Sequence, residues 1–230
     1  MEELGYVNIF ATKGIEYLLV IGYLMLLVVF WKFLNRPAAA AGEESKGVTA
    51  AVGGWFNLAQ GVFYHQGHGW ARPGKGGVVK VGMDDFAQKL LGSPNSLELP
   101  EVGTRVEQGG RAWKVNVDSK AVNMLSPVEG VVVAVNEQAV GSPESVCRDP
   151  YGEGWLIKVK VPKLKSNLKN LFSGRLADAW MEETVENLRG RLSGDLGIVL
   201  QDGGMPVSGF VRNLSPDNWE EIAREFLLSE

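Results

Sequence analysis

Hydrophobic and polar positions divide the chain into regimes of different period. The first is a continuous apolar run, Ile15 to Leu34 (IEYLLVIGYLMLLVVFWKFL), with no charge between Tyr17 and Trp31. It is apolar on every face, which suits a membrane-spanning helix better than a core helix with one wet side. As a helix, residues 17–34 would reach about 27 Å, close to a hydrocarbon core of about 30 Å. Tyr17 and Trp31 stand near the ends, where aromatic side chains favour the interface, and Lys32 can snorkel. Glu2, Glu3 and Glu16 do not fit the basic leader of a cleaved signal peptide. Lys13 lies before the run, and Lys32, Arg36 and Lys46 lie at or after its end. That bias predicts a single-pass protein of the inner or cytoplasmic membrane, N-terminus outside and the larger part cytoplasmic. Leu4, Tyr6, Val7, Ile9 and Phe10 form a shorter apolar stretch ahead of the span.

Residues 35–47 (NRPAAAAGEESKG) are small and polar and read as a linker. From Val62 to Val161 the period becomes that of strands. Val78–Val81, Ala112–Val117, Gly130–Val135 and Trp155–Val161 are rich in Val, Ile and Trp, and Gly, Pro, Asn and Asp punctuate them. In the last run Trp155, Ile157, Val159 and Val161 alternate with Leu156, Lys158 and Lys160, as in a half-buried strand. Met83–Leu91 breaks this regime: Met83, Phe86 and Leu90 share a face at helical spacing. After Pro162 the pattern is helical again. Ala177–Leu192 repeats Trp180, Val185, Leu188 and Leu192, with Gly194 as its stop. Leu196–Leu200 and Val207–Val211 flank Gln201-Asp202-Gly203-Gly204 and predict a hairpin. Ser215-Pro216-Asp217 carries the start signals of a final helix. The predicted segments are therefore 1–34 with a spanning helix at 15–34, linker 35–47, a β domain 48–162 and a helix–hairpin–helix extension 163–230.

Composition narrows the function classes. A net charge of −4 and a pI near 5.4 give no nucleic-acid footprint. Cys147 is the single cysteine, so no intrachain disulfide can form and a Cys-based metal site is not expected. Glycine, at 29 residues, falls between β-branched runs and reads as tight turns.

Four stretches, in order and at matching spacing, resemble the H protein of the glycine cleavage system. They are Phe63–Trp70 (FYHQGHGW), Val81–Gly92 (VGMDDFAQKLLG), Leu97–Gly109 (LELPEVGTRVEQG) and Pro150–Lys158 (PYGEGWLIK) after Asp149, with Asn136 between the last two. The resemblance covers about Val62–Val161. It implies a mainly β fold, a flattened lipoyl-domain-like barrel or sandwich with peripheral helices. It also implies a lysine on a tight hairpin, lipoylated in the family, whose arm carries an aminomethyl group between partner enzymes.

The hairpin is where the pattern departs. The family's lysine stands seven residues before the serine of S-P-V-x-G, here Ser126-Pro127-Val128-Glu129-Gly130. Counting back gives Ser119, and counting forward from Gly103 gives the same position. The family glutamate three residues earlier aligns with Asn116, and Lys120 is one place beyond. Two readings stay open. In one, the module is a non-catalytic interaction subunit without cofactor, held in a membrane-associated complex such as a respiratory redox complex. In the other, Lys120 carries lipoate; it requires a one-residue shift, which turns side chains to the opposite face of a strand.

Other candidates have plainer readings. His65 and His68 lack a third ligand nearby, so no metal site is expected. Asp84-Asp85 suits a helix start. Glu98 with Glu101 is a weak acid–base pair. Gly74-Lys75-Gly76-Gly77 lacks the phosphate-loop spacing. Cys147 beside Arg148 would have a lowered pKa if the two were close. Lys163, Lys165 and Lys169 form a basic run that suits solvent or anionic headgroups. No nucleophile–base constellation appears, so an enzyme is not expected. The expected partners are the membrane and other membrane-complex subunits, without nucleic acid or a small-molecule substrate.

Overall fold

The computed structural model describes residues 9–34, 50–52, 55–196, 208–214 and 218–229. Internal packing divides the chain into two compact units, residues 1–41 and 42–230.

In the first unit, α1 (Ile9–Leu34) is a helix of 26 residues. Its described large apolar side chains, Tyr17 to Trp31, are all exposed, by 42% to 70%. Among the described residues no helix is long and apolar enough to cross a membrane. The expected span over 15–34 is therefore met as a helix and not as an established span. Residues 1–8 and the linker 35–47 lie outside the described residues.

The second unit is a β-sandwich with peripheral helices. Its strands are β1 (Ala50–Val52), β2 (Phe56–Leu58), β3 (Phe63–Tyr64), β4 (Gly69–Pro73), β5 (Val78–Met83), β6 (Ser96–Glu98), β7 (Arg105–Val106), β8 (Arg111–Val117), β9 (Lys120–Leu125), β10 (Gly130–Val135) and β11 (Trp155–Lys160). A six-stranded sheet runs β3-β4-β5-β11-β10-β7, a three-stranded sheet runs β6-β8-β9, and β1 pairs with β2. Val79, Val81, Leu156, Ile157 and Val159 from the larger sheet and Val115, Val117, Val122 and Met124 from the smaller are fully buried. Burying such side chains, at roughly 1.5–3 kcal/mol each, is the main force joining the sheets.

One strand differs from its predicted alternation. The β11–β5 register shifts between Trp155 and Ile157. Leu156 and Ile157 are both buried while Trp155 is half-exposed. The bulge turns Trp155 outward, against the expectation that it shares a face with Ile157 and Val159.

The helices of this unit are α2 (Asp85–Leu91), α3 (Glu137–Gly141), α4 (Ser145–Arg148), α5 (Leu164–Lys169), α6 (Arg175–Leu196), α7 (Phe210–Leu214) and α8 (Trp219–Leu227). Met83, expected in a helix, ends β5 instead. Asp84 then caps α2, its Oδ1 accepting from the Ala87 amide at 2.8 Å. α6 runs through Gly194 to Leu196. Glycine costs a helix about 1 kcal/mol but stops it only when the backbone turns left-handed there. Val211, expected in a hairpin strand, lies in α7 and is fully buried. Tertiary packing overrides the β preference of an isolated valine. Residues 197–207 and 215–217, which held the rest of that hairpin and the predicted final cap, lie outside the described residues. The structure starts α8 after Asn218.

Candidate functional site

The hairpin that the sequence singles out joins β8 to β9. Val117 pairs with Lys120, so Asp118 and Ser119 form a two-residue turn. Asp118 takes φ 53°, which short polar residues tolerate better than β-branched ones. Ser119 is exposed at the tip. Lys120 is the first residue of β9. Its register partner is Val117, which is fully buried, and Val122 and Met124 follow it at alternate positions, also fully buried. Lys120 therefore leaves the backbone on the core side of the hairpin, whereas Ser119 faces out.

What meets Lys120 on that side is α8. Its Nζ lies 3.4 Å from Glu220 Oε2 and 5.4 Å from the centre of the Trp219 ring. The side chain keeps 32% of its exposure. Asp118 in the turn is held by Arg212 of α7, Nη1 to Oδ2 at 3.0 Å. Its backbone amide donates to Asn95 Oδ1 at 2.6 Å. Asn116 donates through Nδ2 to Ser96 Oγ and Glu98 Oε1, both at 3.0 Å. That amide, with Lys114 beside it, holds the Glu98 carboxyl below its ordinary pKa. The place where the resemblance puts a glutamate thus ties the hairpin to β6. The Glu101 carbonyl accepts from the Thr104 amide at 3.1 Å and closes the turn there.

The docking of α7 has a local cause in a glycine. Gly92 ends α2 at φ 79°, and a Cβ there would come 2.9 Å from Gly209 Cα and closer still to the Arg212 guanidinium. The Gly209 amide donates to the Lys89 carbonyl at 2.7 Å. Only glycine lets α7 approach this closely and so aim Arg212 at the turn.

The histidines part company. His65 Nδ1 accepts from the Gly67 amide at 3.0 Å. Burial, with His68 nearby, pushes the His65 pKa down. His68 is 1% exposed and pairs through Nδ1 with Asp84 Oδ2 at 2.8 Å. It stacks on Phe86 at 4.1 Å and faces Trp180 at 4.8 Å. Asp84 serves both His68 and the start of α2, and neither carboxylate of Asp84-Asp85 is open to a substrate, since both are buried. Among the described residues no group of three or more His, Cys, Asp or Glu is placed to hold a metal. Cys147 is also not the activated thiol that Arg148 suggested. Burial and the Asp85 charge push it up to about 11. Gly74–Gly77 forms a tight connection between β4 and β5, with Gly76 and Gly77 at positive φ. Lys163, Lys165 and Lys169 are exposed around α5.

Sequence reasoning missed the docking of α8 on the lysine side of the hairpin. Nothing in the apolar period of α8 names its target, although Trp219, Ile222, Ala223 and Leu227 do mark one buried face. It also missed a groove of about 650 Å³ whose lining includes His68, Trp180, Thr184, Arg191, Glu225 and Phe226.

Comparison with known proteins matches this framework. The family model described as "Glycine cleavage H-protein" covers residues 62–184, more than half of the chain. A second model, described only as "Protein", covers residues 9–38. A probable glycine cleavage system H protein of Pyrococcus furiosus is 38% identical over 122 residues, 53% of this chain and 90% of that protein. The glycine cleavage system H protein of Idiomarina loihiensis is 35% identical over 127 residues, 55% of this chain and 98% of that protein. The solved H protein of Mycobacterium marinum is 28% identical, covering 56% of this chain and 99% of that one, with a TM-score of 0.48. With strand order, hairpin and buried His–Asp pair already in place, the sequence match over 62–184 is decisive: the chain belongs to the glycine cleavage H-protein family.

Proposed function

We propose that the protein is an H-type lipoyl carrier whose attachment residue is Lys120 and whose α1 tethers it to a membrane. The observation that supports the carrier most is the β8–β9 hairpin itself, a two-residue turn with a lysine at its base, inside the family match. H proteins are carriers and not enzymes. The charging step follows from the lysine. The neutral Nζ attacks the carbonyl of an activated lipoyl group such as a lipoyl-adenylate. The amide C–N bond forms, the acyl–oxygen bond breaks, the adenylate leaves, and the amine's proton passes to solvent. The loaded arm would then shuttle an aminomethyl or acyl group between enzymes of a glycine-cleavage-type set. Tethering draws its support from α1, whose side chains from Tyr17 to Trp31 form an exposed apolar surface.

The test is the intact mass of the protein taken from its native membrane fraction, with peptide mapping across residues 111–125. A lipoyl-sized addition on Lys120 is the expected result. An unmodified peptide, from cells whose other lipoyl proteins are charged, refutes the carrier. Recovery in the soluble fraction without detergent refutes the tether.

One observation favours a second reading. Ser119, not lysine, stands at the tip, and a serine hydroxyl cannot form the lipoyl amide. On that reading the module is a non-catalytic interaction subunit of a membrane-associated complex, such as a redox complex, and carries no cofactor. It would co-purify with partner subunits after mild detergent extraction, and isolation of the chain alone would remove it.

A further inference from the structure

The hairpin carries its own cover. Three contacts reach it from the C-terminal helices: Arg212 to Asp118 at 3.0 Å, Glu220 to Lys120 at 3.4 Å, and the Trp219 ring to the Lys120 ammonium at 5.4 Å. Together they grip both the turn and the lysine beside it. α8 lies against β9 along its length. Trp219 is at the Lys120 end, and the Leu227 carbonyl lies 2.9 Å from where a Cβ on Gly67 would be. Its buried face, Trp219, Ile222, Ala223 and Leu227, repeats at helical spacing and is 5% exposed or less at every position. The outer face carries Glu221, Arg224 and Glu225, all exposed. α8 is thus an amphipathic helix laid over the lysine side of the hairpin.

This arrangement conflicts with an arm that swings. A lysine on the core side of a hairpin, 32% exposed and with an indole and a carboxylate against its ammonium, is poorly presented to the ligase that would charge it. The conflict disappears if α8 leaves. α7 is fixed by the Gly209–Lys89 hydrogen bond and by the burial of Phe210 and Val211. α8 is nine residues long, and its ion pair with the hairpin, Glu220 to Lys120, is partly exposed; Glu225 also reaches Arg191 of α6 at 3.2 Å, and Phe226 faces Phe86 at 5.7 Å. A short surface helix of this kind stands in a local balance between docked and released that costs less to shift than the whole fold. Exposed ion pairs add little to that balance but set where the helix lands.

We propose that α7 and α8 form a built-in cover in which Trp219 and Glu220 close over Lys120, and that Lys120 becomes available for acylation only when α8 lifts. The inference rests on Lys120 as the attachment residue for its purpose. The cover itself is measurable without lipoate.

The full chain is treated with an amine-reactive acetylating ester and mapped by mass spectrometry. The initial rate at Lys120 is compared with those at exposed Lys163 and Lys165 in the same sample. In the unaltered chain Lys120 reacts about 10-fold more slowly than the two references, as a gripped side chain does. Trp219→Ala raises the Lys120 rate about 10-fold and leaves the references unchanged, while Trp219→Phe, which keeps a ring, stays near the unaltered rate. Arg212→Gln gives a smaller rise in the same direction, and it guards against a Trp219→Ala chain that fails to fold. Equal rates at Lys120 and the references in the unaltered chain overturn the cover, as does a Lys120 rate unmoved by both substitutions. A second arm adds lipoate, ATP and a lipoate ligase. Charging that quickens in Trp219→Ala supports the cover as a control on the carrier. Charging as fast in the unaltered chain as in the variant overturns the cover and leaves the carrier standing. Acetylation that opens with the variant, joined to no lipoylation in either chain, upholds the cover and removes the carrier.

Discussion

The two ends of the β-sandwich treat their charged groups in opposite ways. At one end His68 and Asp84 are buried, bonded to each other at 2.8 Å, and stacked between Phe86 and Trp180. Tyr151 closes that end, its hydroxyl donating to the Asn57 carbonyl at 2.6 Å and accepting from the Asp85 amide at 3.2 Å. At the other end Asp118, Lys120, Arg212 and Glu220 meet in pairs that remain between 25% and 60% exposed. A buried polar pair is expensive to break because the survivor is left without water or partner. An exposed pair is cheap to break because water replaces it. The first end therefore contributes more to the stability of the fold, and the pairs at the second are the cheaper to open.

The largest effect is expected at the buried end. Asp84→Ala removes the α2 cap and strands His68 in the core, so urea unfolding should show a loss of about 3–5 kcal/mol. A change below about 1 kcal/mol would mean that His68 relaxes into solvent and that the two ends are alike.

Gly92→Ala probes the joint between them. The added methyl collides with Gly209 at a backbone angle that disfavours alanine. A loss of about 1–3 kcal/mol is expected, accompanied by faster amide exchange in α7 and α8 and little change in β5 and β11. Uniform acceleration across the sheets would show that the C-terminal helices are part of the global core.

Alkaline pH separates the ends without mutation. Burial pushes the phenols of Tyr64 and Tyr151 well above their ordinary value, so both stay neutral when folded. The unfolded chain releases those protons from about pH 10 upward. Their contribution is thus complete below about pH 10 and is lost as pH rises towards the folded values. Denaturation midpoints should fall as the pH rises above about 10, and Tyr64→Phe should flatten that fall. Cys147, with its pKa pushed up to about 11, should react with iodoacetamide slowly at pH 8 and faster only as the pH approaches that value.

The smallest effect is expected at the hairpin. Arg212→Gln should cost less than about 1 kcal/mol in urea unfolding while still changing the reactivity of Lys120. A large global loss from this exposed pair would erase the contrast.

The sequence alone determined a good deal. Short Val- and Ile-rich runs between Gly, Pro and Asn specify strands because period two buries one face and turn residues stop them. Four of the predicted runs return as β5, β8, β10 and β11, within one or two residues. The order and spacing of FYHQGHGW, VGMDDFAQKLLG and LELPEVG were enough to name the family, since each stretch builds a particular turn or helix start. The count from Gly103 and from Ser126 located Ser119, and that position is the tip of the turn.

Tertiary structure decided the rest. Local pattern gave Met83 to a helix and Val211 to a strand, but packing placed Met83 in β5 and Val211 in α7. The bulge at Trp155 depends on a partner strand that a single run cannot reveal. Arg148 stands next to Cys147 in the chain, yet burial and Asp85 set the thiol's character. Most of all, Lys120 and Glu220 are separated by almost half of the chain, and only the fold brings them within 3.4 Å. Periodicity says which face of a helix seeks cover; it does not say what that face will cover, because the choice depends on every other surface competing for it.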